Sequence, residues 1–116
     1  MKTITLKNDE TIQTVEVYGG RELYQGSRRE YLEIVVPQED NTVEALEAAL
    51  SVDACQELTI TDEDGSQYMH SDYVLRGGAR VWQDEDSGVW YIAVKRYQRT
   101  ELERTVDQLQ AAVAAL

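Results

Sequence analysis

The sequence predicts an α+β protein, mainly antiparallel β and sandwich-like, with about seven strands, one internal helix and a C-terminal amphipathic helix. Short segments alternate apolar and polar residues, as strands with one buried face do. Turns rich in glycine and aspartate separate these segments. Helical spacing occurs only in 41–50 and 99–116. We therefore divide the chain into a β-rich domain at 1–98, which contains the helix at 41–50, and a C-terminal helix at 99–116.

The strands are expected at seven places: 2–7, 11–18, 30–36, 56–61, 66–75, 79–83 and 88–98. The first two form a hairpin, and because Ile12 has the opposite parity from Val15, a bulge or register break is expected near Gln13. The segment 19–28 has three glycines and no hydrophobic period, so we interpret it as an exposed loop. Gly77-Gly78 is expected to interrupt the chain after the fifth strand.

The internal helix and the last strand have the clearest buried faces. In the helix at 41–50, Asn41 is the predicted cap and Val43, Leu46 and Leu50 form the buried stripe. The last strand alternates most regularly. Its two faces carry Trp90, Ile92 and Val94 on one side, and Tyr91, Ala93, Lys95 and Tyr97 on the other.

The C-terminal helix begins with a capping box and continues as a heptad. Thr100 and Glu103 have the spacing in which each side chain bonds the other residue's amide. Five apolar residues then follow at spacings of four and three: Leu102, Val106, Leu109, Val113 and Leu116. This seam, which we call the α2 stripe, favours burial against a copy of itself or a similar groove. The alternative is that it packs on the chain's own sheet.

Composition excludes several classes of protein. The 116 residues suffice for one domain with its own core. A net charge of −11 repels a phosphate backbone, so nucleic-acid binding is not expected. No apolar run is long enough to cross a bilayer, and the alternating N-terminus predicts a strand, not a signal peptide. The lone Cys55 is expected to be a small buried or half-buried residue.

No residue set requires a chemical activity. His70 and Asp72 form the one His-x-Asp pair, but no nucleophile motif surrounds them. The acidic turns at 62–65 and 84–88 lack the spacing of a calcium loop, and no Cys/His cluster exists for zinc. We therefore predict no catalytic residue, no cofactor and no metal site.

The aromatic residues suggest an interaction surface. The chain has seven tyrosines and two tryptophans but no phenylalanine, so every aromatic side chain has a polar tip, as is common at interfaces. Tyr24 beside the glycine-rich segment, and Tyr91 and Tyr97 on the last strand, are the candidate interface residues outside the helix. The alternative is that these rings are half-buried with their hydroxyl groups at the rim.

Several stretches together resemble small proteins encoded in prophages of Gram-positive bacteria, usually among tail and baseplate genes. These stretches are Ile4-Thr5-Leu6-Lys7-Asn8, Val17-Tyr18-Gly19-Gly20-Arg21, Tyr24-Gln25-Gly26 with Arg29, Leu58-Thr59-Ile60-Thr61-Asp62 with Gly65, His70, and Tyr73-Val74-Leu75. The resemblance covers about residues 4–76 and assigns no functional residue. It implies a virion or tail-assembly component, and the helix from Thr100 onward lies outside it.

We therefore expect a non-enzymatic structural protein of a phage or prophage that self-associates, or docks on a larger phage particle, through its C-terminal helix. Its partners would be proteins, including copies of itself as a homo-oligomer, and neither nucleic acid nor membrane. Its place would be the bacterial cytoplasm during assembly, or the virion. The alternative is a small acidic protein that inhibits a basic, nucleic-acid-binding host protein.

Overall fold

The computed structural model describes all residues, Met1–Leu116, and has eight strands in two four-stranded antiparallel sheets. The predicted α+β class with a sandwich-like β body is confirmed. The strands are β1 (Lys2–Leu6), β2 (Thr11–Thr14), β3 (Glu16–Tyr24), β4 (Ser27–Pro37), β5 (Glu57–Thr61), β6 (Gln67–Ser71), β7 (Leu75–Gln83) and β8 (Trp90–Tyr97). The helices are α1 (Val43–Ala49) and α2 (Glu101–Ala114), and a 3₁₀ turn spans Ala54–Gln56.

The first sheet has the order β2-β1-β5-β6 and the second the order β3-β4-β8-β7. The core lies between them because the alternating residues of both sheets point inward. Its members are fully or almost fully buried: Ile4, Leu6, Leu58 and Ile60 from the first sheet, and Leu32, Ile34, Val36, Ile92 and Val94 from the second. These are the inward residues that the alternation predicts.

Helix α1 closes one part of this core. Leu46 and Leu50 are buried and Val43 packs against the cluster, as predicted. The cap is Thr42, whose side chain accepts a hydrogen bond from the Ala45 amide, and not the predicted Asn41. The Asn41 side chain instead donates to the carbonyl of Pro37, which fixes the turn before the helix.

The expected strand at 11–18 is wrong in extent, because the chain changes sheets within it. β2 pairs with β1 up to Thr14, and from Glu16 the chain pairs with β4 in the other sheet. The Val15 amide already donates to the carbonyl of Val35 across this step. The change in apolar alternation between Ile12 and Val15 therefore marks the point at which the chain passes from the first sheet to the second.

The expected loop at 19–28 is also wrong. β3 and β4 pair through Tyr24↔Ser27, with Gln25 and Gly26 at positive φ in the tight turn. This hairpin extends past the core, so its residues need no apolar alternation to form strands. Eight strands result where about seven were expected.

The break expected at Gly77-Gly78 lies earlier in the chain. The predicted strand at 66–75 ends at Ser71, and Asp72 has a φ of 60° where the chain turns toward the second sheet. β7 continues through both glycines, and they form a bulge opposite β8. A bulge absorbs one extra residue without ending the strand.

The molecule is elongated. Its principal extents are 58 × 31 × 25 Å, and its radius of gyration of 15.5 Å exceeds the value of about 13 Å for a compact chain of this length. The body comprises β1 to β8 with α1, and α2 follows Tyr97 after three residues. None of the residues of α2 is buried.

Candidate protein interface

Helix α2 begins with the predicted capping box. The Glu103 amide donates to the Thr100 hydroxyl at 3.2 Å, and the Thr100 amide donates to the Glu103 carboxylate at 2.7 Å. Two amides that a helix start leaves without partners are thereby satisfied. The first turn of α2 is therefore formed by its own residues.

The same Glu103 also ties α2 to the β body. Its carboxylate accepts from both terminal nitrogens of Arg29, one of them at 2.9 Å. The Arg29 side chain is only 2% exposed, and its Nε donates to the Tyr24 carbonyl at 2.8 Å. Arg29 and the Thr100 amide together lower the pKa of Glu103 to about 2. This paired charge holds the start of α2 beside the turn end of the β3–β4 hairpin.

A second anchor joins α2 to the turn between β6 and β7. The Arg99 amide donates to the Asp72 carbonyl at 3.0 Å, and the Arg99 guanidinium contacts the carboxylates of Asp72 and Asp107. Arg104 lies 3.8 Å from the same Asp72 carboxylate. In the turn at Asp72, which has a positive φ, the carbonyl faces the Arg99 amide and the carboxylate faces the side chains of Arg99 and Arg104.

The polar side of α2 faces the body and the α2 stripe faces away from it. At about 100° per residue, Asp107 and Ala111 lie about 200° around the helix axis from Leu109. A cleft of about 450 Å³ lies on that polar side, lined by Arg104, Asp107, Gln108 and Ala111 of α2 and by Lys7, Gln56 and Glu57 of the body. Amphipathic helices normally orient the other way, with the apolar side on the core.

All five residues of the α2 stripe are exposed. The exposed fraction rises from 42% at Val106 through 61% at Leu109 and 67% at Val113 to 73% at Leu102, and Leu116 is fully exposed. The alternative that the stripe packs on the chain's own sheet is therefore not the arrangement seen here. The structure brings the five residues together on one uncovered face.

The predicted tyrosines take three different positions. Tyr97 is 5% exposed and stacks on Tyr24, with ring centroids 3.9 Å apart, so the expectation that Tyr97 faces a partner is wrong. The hydroxyl of Tyr97 donates to Glu22, and that of Tyr24 donates to the Arg76 carbonyl at 2.6 Å. Tyr24 is half-buried by the same stacking. Tyr91, also half-buried, lies beside Trp82 at the far end of the sheet.

Two glycines explain how the outer face of the second sheet accommodates these rings. A side chain at Gly20 would meet the ring of Tyr31, and one at Gly77 would lie 2.8 Å from the ring of Tyr97. Each ring lies across the bare backbone of a glycine on a neighbouring strand. Gly20, which was expected in a loop, and Gly77, which was expected to interrupt the chain, therefore each pack against an aromatic ring. The strand register that brings each glycine to its ring could not be deduced from the sequence.

Cations complete this outer face. Lys95 lies 4.4 Å from the ring centre of Tyr31 and 2.9 Å from the Glu22 carboxylate. The Arg80 guanidinium lies 4.2 Å from the ring centre of Trp82 and 2.8 Å from Glu33. Each cation thus lies between an aromatic ring and a carboxylate, and both contacts stabilise its charge.

The sequence's other titratable candidates have structural roles. His70 contacts Tyr73 edge to face, and burial lowers its pKa. Asp72 is bound to Arg99 and Arg104, so the His-x-Asp pair is not formed as a catalytic dyad. Cys55 is buried, as expected, and burial raises its pKa to about 11. Such a thiol is almost entirely protonated near neutral pH.

Two of the basic residues, Arg29 and Arg96, are buried and paired with carboxylates inside the chain. Arg96, which is 3% exposed, donates to the Leu50 carbonyl at the end of α1 and to the Glu47 carboxylate, and Arg29 is bound to Glu103.

Neither helix has the length and apolar composition needed to cross a bilayer. No group of three or more His, Cys, Asp or Glu side chains is arranged to hold a metal ion. Comparison of the chain with protein-family models, curated proteins and solved structures gives no match.

Proposed function

We propose that this protein is a non-enzymatic assembly component whose copies join through the α2 stripe, in the setting of a phage or prophage tail. One observation carries the proposal: a helix anchored to the body by its polar side presents five apolar residues to solvent. Burying a leucine or valine side chain contributes about 1.5–3 kcal/mol, so an uncovered stripe of this length favours association.

The chemistry of the stripe favours a second copy as the partner. Val106 and Val113 occupy one core position of the heptad, and Leu102, Leu109 and Leu116 occupy the other. A β-branched residue at the first position with leucine at the second is the pattern of parallel two-stranded coiled coils. The stripe is about 21 Å long, and docking on a larger particle would use the same five residues.

The anchors supply what so short a helix lacks by itself. An isolated helix of this length is marginal in water because its first turn is costly to form. Here the capping box and the Arg29–Glu103 pair fix that first turn before any partner binds. Association of two copies then pays less ordering entropy than association of two free peptides.

The alternative of an acidic inhibitor that imitates nucleic acid has less support. Such a mimic needs a row of free carboxylates on one face. Many of the carboxylates here are instead neutralised within the chain, among them Glu16, Glu22, Glu33, Glu47, Asp72 and Glu103. Others lie in the turns that join strands.

The test is the molar mass of the full chain by light scattering coupled to size exclusion, at low and high concentration, for the wild type and two variants. Leu109→Asp places a charge in the stripe and is expected to give a monomer throughout. Gln108→Asp adds the same charge one residue away, outside the stripe, and should associate as the wild type does. A wild type that stays monomeric at high micromolar concentration, or equal behaviour of both variants, contradicts the proposal.

A further inference from the structure

The outer face of the second sheet has one aromatic and acidic region in which three of the four carboxylates have no cation partner. Lys95 and Arg80 each lie between a ring and a carboxylate, as described above. Beyond Trp82 the same face continues into an open groove of about 490 Å³. No lysine or arginine lines this groove. Its lining comprises Val15, Glu16, Tyr18, Val35, Trp82, Gln83, Asp84, Glu85, Asp86 and Tyr91.

The groove combines aromatic rings with four carboxylates, and those of Asp84, Glu85 and Asp86 have no cation partner. Tyr18 is 54% exposed, and the ring centres of Trp82 and Tyr91 are 5.7 Å apart. Among the carboxylates, Glu16 is paired with Lys2, and Asp84 accepts from the hydroxyl of Ser87. The carboxylates of Glu85 and Asp86 have neither an ion-pair nor a hydrogen-bond partner, and both residues are exposed.

We propose that this groove binds the guanidinium or ammonium group of an arginine or lysine side chain that a partner protein presents. Arg80 already lies over the Trp82 ring, so the faces of Tyr18 and Tyr91 are the ones that attract a further cation, and Glu85 and Asp86 supply the countercharge. The volume is within the usual range of ligand sites, although the groove is open. The bound cation would lie near an aromatic ring and a carboxylate, as Lys95 and Arg80 do elsewhere on this face.

Charge complementarity selects this class of occupant. Phosphate or another anion would be repelled by these carboxylates, and a purely apolar side chain would gain no charge interaction with them. The groove also lies on the β body and not on α2, so this inference is independent of the proposed function. The two are separated by experiment, because a Leu109→Asp monomer retains the groove.

The test uses isotope-labelled full-length protein titrated with acetyl-Gly-Arg-Gly-amide and followed by nuclear magnetic resonance. The control peptide has citrulline in place of arginine, which keeps the shape and removes the charge. The arginine peptide is expected to shift the Trp82 indole signal and the Tyr18 and Tyr91 amides in a saturable way. Shifts of equal size with the citrulline peptide, or shifts centred elsewhere, overturn the proposal.

Variants separate the groove from the general attraction of a chain with a net charge of −11. The double change Glu85→Gln with Asp86→Asn should raise the dissociation constant about threefold or more, and Tyr18→Ser about two- to fivefold. The matched control is Asp53→Asn with Glu57→Gln, which removes the same charge from exposed residues outside the groove. If the control weakens binding as much as the groove variant, the proposal is wrong.

Discussion

Some residues in this protein have two structural roles at the same time. Glu103 closes the capping box of α2 and also binds Arg29, so one carboxylate both starts the helix and attaches it to the body. Asp72 likewise serves Arg99 through its carbonyl and its carboxylate. The orientation of α2, which exposes its apolar side, follows from these few polar contacts.

Protonation of Glu103 should release this anchor. Its pKa is lowered from 4.5 to about 2 in the folded protein, so the carboxylate stabilises the anchored helix above about pH 4.5 and loses this effect as the pH falls toward 2. We expect the helical circular dichroism and the Arg29 side-chain signal to change across this window. In Glu103→Gln this change should be absent, and an unaltered profile in that variant would show that other groups cause it.

The paired glycines of the outer sheet face provide a second prediction. A methyl group at Gly77 would lie 2.8 Å from the Tyr97 ring and 2.9 Å from the Lys95 carbonyl, whereas one at Gly78 meets nothing within 4 Å. Gly77→Ala should therefore lower the free energy of unfolding by about 1–3 kcal/mol, as overpacking does. Gly78→Ala should be nearly neutral in the same chemical denaturation experiment. Equal effects of the two changes would refute the close approach of the ring.

At the scale of elements, alternation predicted the inward faces better than it predicted where strands end. Leu32, Ile34 and Val36 are buried as expected because a core between two sheets requires this spacing. The long hairpin around Gln25-Gly26 could not be predicted from hydrophobicity, since it extends past the core and is held by backbone pairing. The available sequence signal was Gly26, a residue that suits the positive φ of the tight turn.

The candidate interface was only partly predictable from the sequence, because part of it depends on contacts between residues that are distant in the chain. The α2 stripe and its capping box follow from local spacing, and both form as expected. The side of α2 that faces the body depends on Arg29 and Asp72, which are distant in sequence, so sequence spacing could not fix it. The alternation of side chains along β8 correctly predicted that Tyr97 lies on the outer face of the second sheet. Tyr97 is buried because Tyr24 and Tyr31 cover this outer face.

At the scale of the whole molecule, net charge and the apolar stripe act against each other. Two copies with a net charge of −11 each repel, while the α2 stripe attracts by burial of apolar surface. Salt screens the first effect and leaves the second largely unchanged. The self-association proposed here should therefore strengthen as salt is added, in contrast to binding of a cationic side chain in the groove.

Sedimentation equilibrium at low and high salt measures this difference. Raising sodium chloride from about 0.05 M to about 0.5 M shortens the screening length roughly threefold and should lower the dimer dissociation constant. The arginine peptide should bind more weakly over the same range. A dimer that dissociates on addition of salt would point to an ionic contact in place of the apolar stripe.

Hydrogen exchange measured by mass spectrometry tests most directly whether α2 is covered by another copy. In a lone molecule the amides from Val106 to Val113 belong to an uncovered helix and should exchange rapidly, while those of β8 in the core give an internal reference. We predict that protection of the α2 amides rises with protein concentration in the wild type and not in Leu109→Asp. Rapid exchange of α2 at every concentration, with β8 protected throughout, would contradict self-association through this helix.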